Sequence, residues 1–251
     1  LVRSIILKKT DRGEADELVV FLSRDLGWLR GVAKNAKKSR VRFGGHLEPL
    51  SLVDLTLRPR RKDDLVWVGD SQVIRGFLGL RSDLGKIALA SYFLEMCSLL
   101  MLEGNPDSRI FDFILEFLEN LEKSDLHPER FLLDEIRLLG LLGHGPRFDT
   151  CVTCGEPIGP GEDALFSPGL GGVNHNACED SRATDLTLSP DTLAFIRRGL
   201  ELKGDAASRV RLNRKGLAEL RRSLSSFVRH VRGQEIRSLV FLEKLRTLSG
   251  L

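Results

Sequence analysis

Two short chelating turns limit what this chain can fold into more than any other feature: Cys151-Val152-Thr153-Cys154 and His175-Asn176-Ala177-Cys178, separated by residues 155 to 174. Two residues between ligands let one tight turn aim both side chains at a single ion. Two such turns supply the four ligands of a closed tetrahedral zinc site. Three of the four cysteines fall in this constellation, and Gly155, Gly169, Gly171 and Gly172 provide the turn chemistry. The expectation is a zinc ribbon at about 149–182, with Cys151, Cys154, His175 and Cys178 holding a structural Zn2+. Three plainer readings stand beside it: His175 is a loop histidine next to a three-cysteine site, the cysteines pair as disulfides, or the ribbon has lost its metal and survives on packing. Disulfides fit least. The N-terminus does not resemble a secretory signal, no run of 18 apolar residues could span a bilayer, and reducing compartments favour metal over disulfide at this spacing. A cytoplasmic protein with no membrane contact is expected. Cys97, within Leu94-Glu95-Met96-Cys97-Ser98-Leu99-Leu100, reads as a small buried hydrophobe.

Charge enters the argument through its distribution. The net charge over 251 residues is only +3, yet residues 1–80 carry +6, 81–150 carry −6, 151–190 carry −5 and 191–251 carry +8. Such segregation is what an electrostatic footprint for a polyanion requires. With 42% hydrophobic and 29% charged residues, the chain can still build one large or two small cores.

From residue 1 to about 80 the apolar runs are short and strand-like: Val2–Leu7, Leu18–Leu22, Trp28–Val32, Leu50–Leu57 and Leu65–Val68, separated by turn residues such as Asp11-Arg12-Gly13 and Gly44-Gly45. Five strands in that length fit an OB-fold barrel. After residue 82 the period becomes helical. Lys86–Leu102 is apolar on nearly every side, Ile110–Leu121 and Phe131–Leu142 show one apolar face each, and Ser189-Pro190 marks a helix start. Leu217–Val231 and Ile236–Leu245 complete the set. The expected fold class is α+β: an N-terminal five-stranded OB-fold β-barrel (1–80), then a helical domain (81–251) interrupted by the zinc ribbon.

The segment Val32-Ala33-Lys34-Asn35-Ala36-Lys37-Lys38-Ser39-Arg40-Val41-Arg42 holds five cations and no acid, and Arg58-Pro59-Arg60-Arg61-Lys62 forms a second cluster. A charge run is usually a solvated loop; two on one barrel suggest phosphate binding, by counterion release and with little regard to base sequence. The candidate DNA-binding residues are Lys34, Lys37, Lys38, Arg40, Arg42, Arg60 and Arg61. Few aromatics are available for stacking bases, so affinity is expected mainly from phosphates, on duplex as well as single strands.

The order of parts resembles the bacterial DNA repair protein RecO family over nearly the whole chain. The likeness is carried by Arg12-Gly13-Glu14-Ala15-Asp16 with Leu18–Leu22, by Val32-Ala33-Lys34 and the trailing Lys37, Lys38, Ser39 and Arg40, and by His46-Leu47-Glu48-Pro49-Leu50. Cys151–Gly155, Phe166, Gly171-Gly172, the second doublet and Arg237–Leu242 continue it. Two positions depart from the family pattern: Asn35 stands where a glycine is usual, and His175 where a cysteine is usual. The resemblance implies a non-catalytic recombination mediator. Such a protein binds single- and double-stranded DNA, anneals complementary strands and, with RecR, helps load RecA onto DNA coated by single-strand binding protein, whose acidic C-terminal tail it also binds. It implies phosphate contacts from Lys34, Lys37, Lys38 and Arg40. Arg214, Arg221, Arg229 and Arg232 either extend that surface or cover an apolar stripe with their stems.

Other functions fit less well. A zinc hydrolase needs an open coordination position, but four ligands close the shell. His46, His127, His144 and His230 are scattered, and Gly169–Gly172 is neither a Walker A loop nor a dinucleotide fingerprint. A zinc-ribbon transcription regulator or another non-catalytic DNA-binding protein is the alternative, but the ribbon's −5 charge repels a phosphate backbone.

Overall fold

The structure, a computed structural model, describes residues 1–58, 65–123, 127–178, 186–202, 210–233 and 236–249. The chain packs as two compact units: residues 1–125 with 236–251, and residues 126–235.

The first unit is built on five strands, β1 (Val2–Arg12), β2 (Asp16–Ser23), β3 (Gly27–Ala33), β4 (Leu52–Arg58) and β5 (Val66–Arg75). They close into a barrel in the order β1-β2-β3-β5-β4. Every pairing is antiparallel except β3 with β5, which run parallel through Gly31↔Val66 and Ala33↔Val68. This is the five-stranded OB-type barrel, followed by helices. The strands β1 and β5 run well beyond their apolar halves, because their outer halves carry solvent-facing residues such as Lys8, Thr10 and Gln72 that leave no core signature. Strand β4 begins at Leu52, two residues later than its apolar run, since Leu50 adopts a left-handed φ of 67° that turns the chain into the strand.

The connection from β3 to β4 decides where the cations point. It contains a 3-10 turn, Ala36–Lys38, and a single helical turn, α1 (Arg40–Phe43). Ala36, Phe43 and Leu47 of this stretch join Ile6, Val19, Phe21, Ala33, Val53, Leu55 and Val68 in the barrel core. The apolar positions plug the barrel, so the intervening Lys34, Lys37, Lys38 and Arg40 are left exposed.

Helices α2 (Leu78–Arg81), α3 (Leu84–Leu100), α4 (Ser108–Lys123) and, from the far end of the sequence, α8 (Arg237–Ser249) complete the unit. The Asp83 carboxylate caps α3 by accepting from Lys86 N at 3.0 Å, and Phe93 of α3 stacks on Phe117 of α4 with centroids 4.0 Å apart. Glu95 of α3 accepts from the backbone N–H of Arg237 and Ser238, satisfying the open donors at the start of α8.

The second unit holds α5 (Pro128–Leu141), a three-stranded sheet β6 (Ala164–Ser167), β7 (Gly172–Asn174) and β8 (Leu186–Leu188) in the order β7-β6-β8, then α6 (Pro190–Glu201) and α7 (Arg214–Arg232). Phe166 on β6 packs between Phe148 and Phe227 of α7, with centroids at 5.7 and 6.0 Å. Arg197 of α6 donates to the carbonyls of Phe148 and Ile158, fixing the first ribbon turn to that helix.

Candidate nucleic-acid interface and metal centre

The cationic strip is a direct product of the plug. Asn35 sits at φ 55°, a left-handed position that asparagine tolerates better than most residues, and the turn it makes is closed by Lys38 N and Ser39 N donating to its carbonyl. Lys34 lies over the Trp67 ring, 4.8 Å from the centroid. Lys37 is exposed but reaches Asp11 at 2.9 Å and donates to the Gly13 carbonyl. Lys38 and Arg40 are exposed and have no ion-pair partner among the described residues. Arg42 is turned the other way. Its guanidinium donates to Ser39 Oγ at 3.0 Å, the Lys34 carbonyl at 3.2 Å and the Gly69 carbonyl at 3.5 Å. Arg60 and Arg61 lie outside the described residues.

A cleft of about 510 Å³ opens beside the strip, lined by Lys9, Lys37 and Arg40, with Phe43 and Leu47 among its apolar residues. Elsewhere on the barrel, cations are neutralised from within. Arg24 pairs with Asp112 at 2.9 Å, Arg30 with Glu103 at 2.8 Å, and Arg75 with Glu119 and Glu122 at 3.0 and 2.6 Å. The acidic stretch after residue 80 thus offsets arginines on one part of the barrel, while in the Lys34–Arg40 strip Lys37 alone has an ion-pair partner among the described residues, the exposed Asp11.

The two doublets meet in the second unit. Gly155 N donates to the Cys151 carbonyl, with Gly155 at φ 81°, and Cys178 N donates to the His175 carbonyl, so each doublet closes its own turn. Val152 N bonds to the Val173 carbonyl and ties the first turn to β7. The ligand atoms of Cys151, Cys154, His175 and Cys178 all lie within 4.8 Å of one another. A zinc–sulfur bond of about 2.3 Å puts tetrahedral donors about 3.8 Å apart, so the arrangement is one that such a metal could occupy. His175 Nδ1 is 3.4 Å from Cys154 Sγ, while Nε2 is 3.1 Å from the Pro157 carbonyl. That carbonyl can only accept, so Nε2 carries the hydrogen and Nδ1 is free to ligate. Asn174, buried beside Cys151, accepts from Thr153 Oγ1 at 2.7 Å.

Local electrostatics prepare one thiolate. Burial works against charge on Cys151, but the backbone N–H groups of Cys154, His175 and Thr153 outweigh it and draw the thiol down to about 6. Hydrogen bonding with Cys154 pushes Cys178 up to about 11. The Pro157 carbonyl raises His175.

Comparison with known proteins decides the family. Residues 2–77 match the family described as "Recombination protein O N terminal", and residues 81–239 match "Recombination protein O C terminal". A "DNA repair protein RecO" from Anaeromyxobacter dehalogenans is 33% identical over 246 residues, 98% of this chain and 96% of the relative. The chain belongs to the RecO family of DNA repair proteins. RecO relatives from Syntrophus aciditrophicus (29% identical, 97% of this chain, 95% of the relative) and Dehalococcoides mccartyi (30%, 97% and 94%) agree over the same span.

Seen as a RecO-family chain, the molecule places its C-terminal arginines in different roles. Arg214 and Arg229 are exposed on α7, whereas Arg221 is half-buried, its guanidinium lowered by burial and opposed by the buried Glu135. The side chain of Arg232 lies outside the described residues. Trp67 under Lys34 and the Pro157 carbonyl behind His175 were not singled out from the sequence. Pairing of β3 with β5 is what brings Trp67 near Lys34, and a backbone carbonyl has no residue signature at all. Among the described residues, no helix is long and apolar enough to cross a membrane.

Proposed function

We propose that this RecO-family chain is a non-catalytic recombination mediator. It binds single- and double-stranded DNA through Lys34, Lys37, Lys38 and Arg40, anneals complementary strands and, with RecR, helps load RecA onto DNA coated by single-strand binding protein, whose C-terminal tail it contacts in the cytoplasm. The observation that carries this reading is the outward row of cations on a plug whose apolar side fills the barrel. Because Phe43 and Ala36 anchor the row on a rigid core, its cations meet phosphates with little ordering cost. Arg60 and Arg61 are assigned phosphate contacts from the charge of their sequence segment alone, and Arg42 braces the Lys34–Arg40 segment through Ser39, Lys34 and Gly69. In the second unit, Cys151, Cys154, His175 and Cys178 hold a structural zinc, which supplies cross-linking of the two ribbon turns.

The test is annealing of complementary oligonucleotides, bare or coated with single-strand binding protein, followed by RecA loading with and without RecR. Annealing without ATP, on unrelated sequences, suppressed by salt, is expected. Salt-insensitive binding to one sequence would instead favour a transcription regulator.

A further inference from the structure

The exposed cations explain how a phosphate chain is held and leave its bases unaddressed. Among them stands Val41, 91% exposed. A single exposed valine needs no explanation by itself; its setting is what matters here. Phe43 is inserted into the barrel core, and Arg42 is bonded to Ser39, Lys34 and Gly69, so the orientation of α1 is fixed. That orientation presents Arg40 and Val41 to solvent, and Gly44 and Gly45, which follow, carry no side chains to cover them. Four nearby carboxylates are occupied: Asp11 by Lys37, Asp16 by Asn35 N, Glu17 and Glu48 by Lys9.

We propose that Val41 is an apolar wedge that packs against bases of the bound DNA strand and unstacks them while Lys37, Lys38 and Arg40 hold the phosphates. An apolar tip that directly follows the exposed Lys37, Lys38 and Arg40 in the same short connection complements a polymer that is anionic outside and apolar on its base faces, and apolar side chains inserted at base steps are a known means of unstacking. The inference rests on the DNA-binding reading above and adds a role for the bases to it.

The experiment uses the full chain and an oligonucleotide with 2-aminopurine at its centre. Saturating wild-type protein should raise the fluorescence, reporting unstacking. Val41→Ser should abolish most of that rise and weaken affinity about five-fold, with an unchanged slope of log affinity against log salt, because no phosphate contact is lost. Val41→Leu should retain the rise. Circular dichroism should show both variants folded. If Val41→Ser unstacks and binds as the wild type does, the wedge is wrong while the phosphate strip stands; if it spares DNA but loses capture of single-strand binding protein, the tip is a protein contact and the proposal fails. If Lys37, Lys38 and Arg40 can all be changed to Ala with the salt slope intact, the DNA interface itself is misplaced.

Discussion

At the ribbon, two cysteines with opposite leanings face one histidine whose spare nitrogen is already committed. Cys178 is held up to about 11 by its hydrogen bond with Cys154, while Cys151, despite burial, is drawn down to about 6 by backbone N–H groups. Zinc uptake at pH 7 should therefore release protons, since Cys178 must become a thiolate to ligate. Affinity should fall as pH drops through about 6, where Cys151 takes its proton back. Chelator titrations at several pH values would check both. Removal of the metal, or Cys151→Ala, should lower the thermal midpoint of the second unit; His175→Cys should keep the metal, with the cobalt-substituted spectrum shifted toward four sulfurs. A chelator-insensitive midpoint would contradict the structural role. The clustering of Cys151, Cys154, His175 and Cys178 was legible because doublet spacing is a local property. The partner of His175 was not, because it is the carbonyl of Pro157, a group that every residue has.

Elements were legible where apolar residues face a core and obscure where partners are distant in sequence. Ser189-Pro190 correctly signals the start of α6, yet Ser189 does not cap its own helix. The Glu219 carboxylate of α7 accepts from Ser189 N at 3.0 Å, Ser189 Oγ at 2.8 Å and Thr192 Oγ1 at 2.7 Å. Burial opposes the charge on Glu219, but these donors and Lys215 hold its pKa below the ordinary value. A carboxylate lowered on folding contributes stability above its unfolded pKa, and that contribution is lost as pH falls through the folded value. Glu219→Ala should cost about 1–2 kcal/mol at neutral pH, measured by denaturant unfolding, with the difference from wild type shrinking in acid. An equal difference at all pH values would show that packing, not the charged cap, is lost. The outer halves of β1 and β5 escaped the sequence for a related reason: ladder pairing sustains them, and their residues face solvent, Val73 and Ile74 of β5 included.

For the whole molecule, the segregated charge has a division of labour that composition alone could not resolve. The carboxylates of α4 and the residues before it pair with Arg24, Arg30 and Arg75, so those arginines hold helices on the barrel. Lys34, Lys38 and Arg40 have no ion-pair partner among the described residues and Lys37 pairs only with the exposed Asp11, on a connection anchored through Phe43, so these four are the cations proposed to bind a polyanion. The basic barrel was visible in the sequence; which of its cations remain available was not, since the pairing depends on helices that begin more than one element later. The most direct test is the slope of log affinity against log salt for single-stranded DNA of unrelated sequences, with wild type and a variant carrying Lys37→Ala, Lys38→Ala and Arg40→Ala. Loss of three phosphate contacts should flatten the slope by about 2 and weaken binding at least about ten-fold at moderate salt. An unchanged slope and affinity in a correctly folded variant would contradict the account.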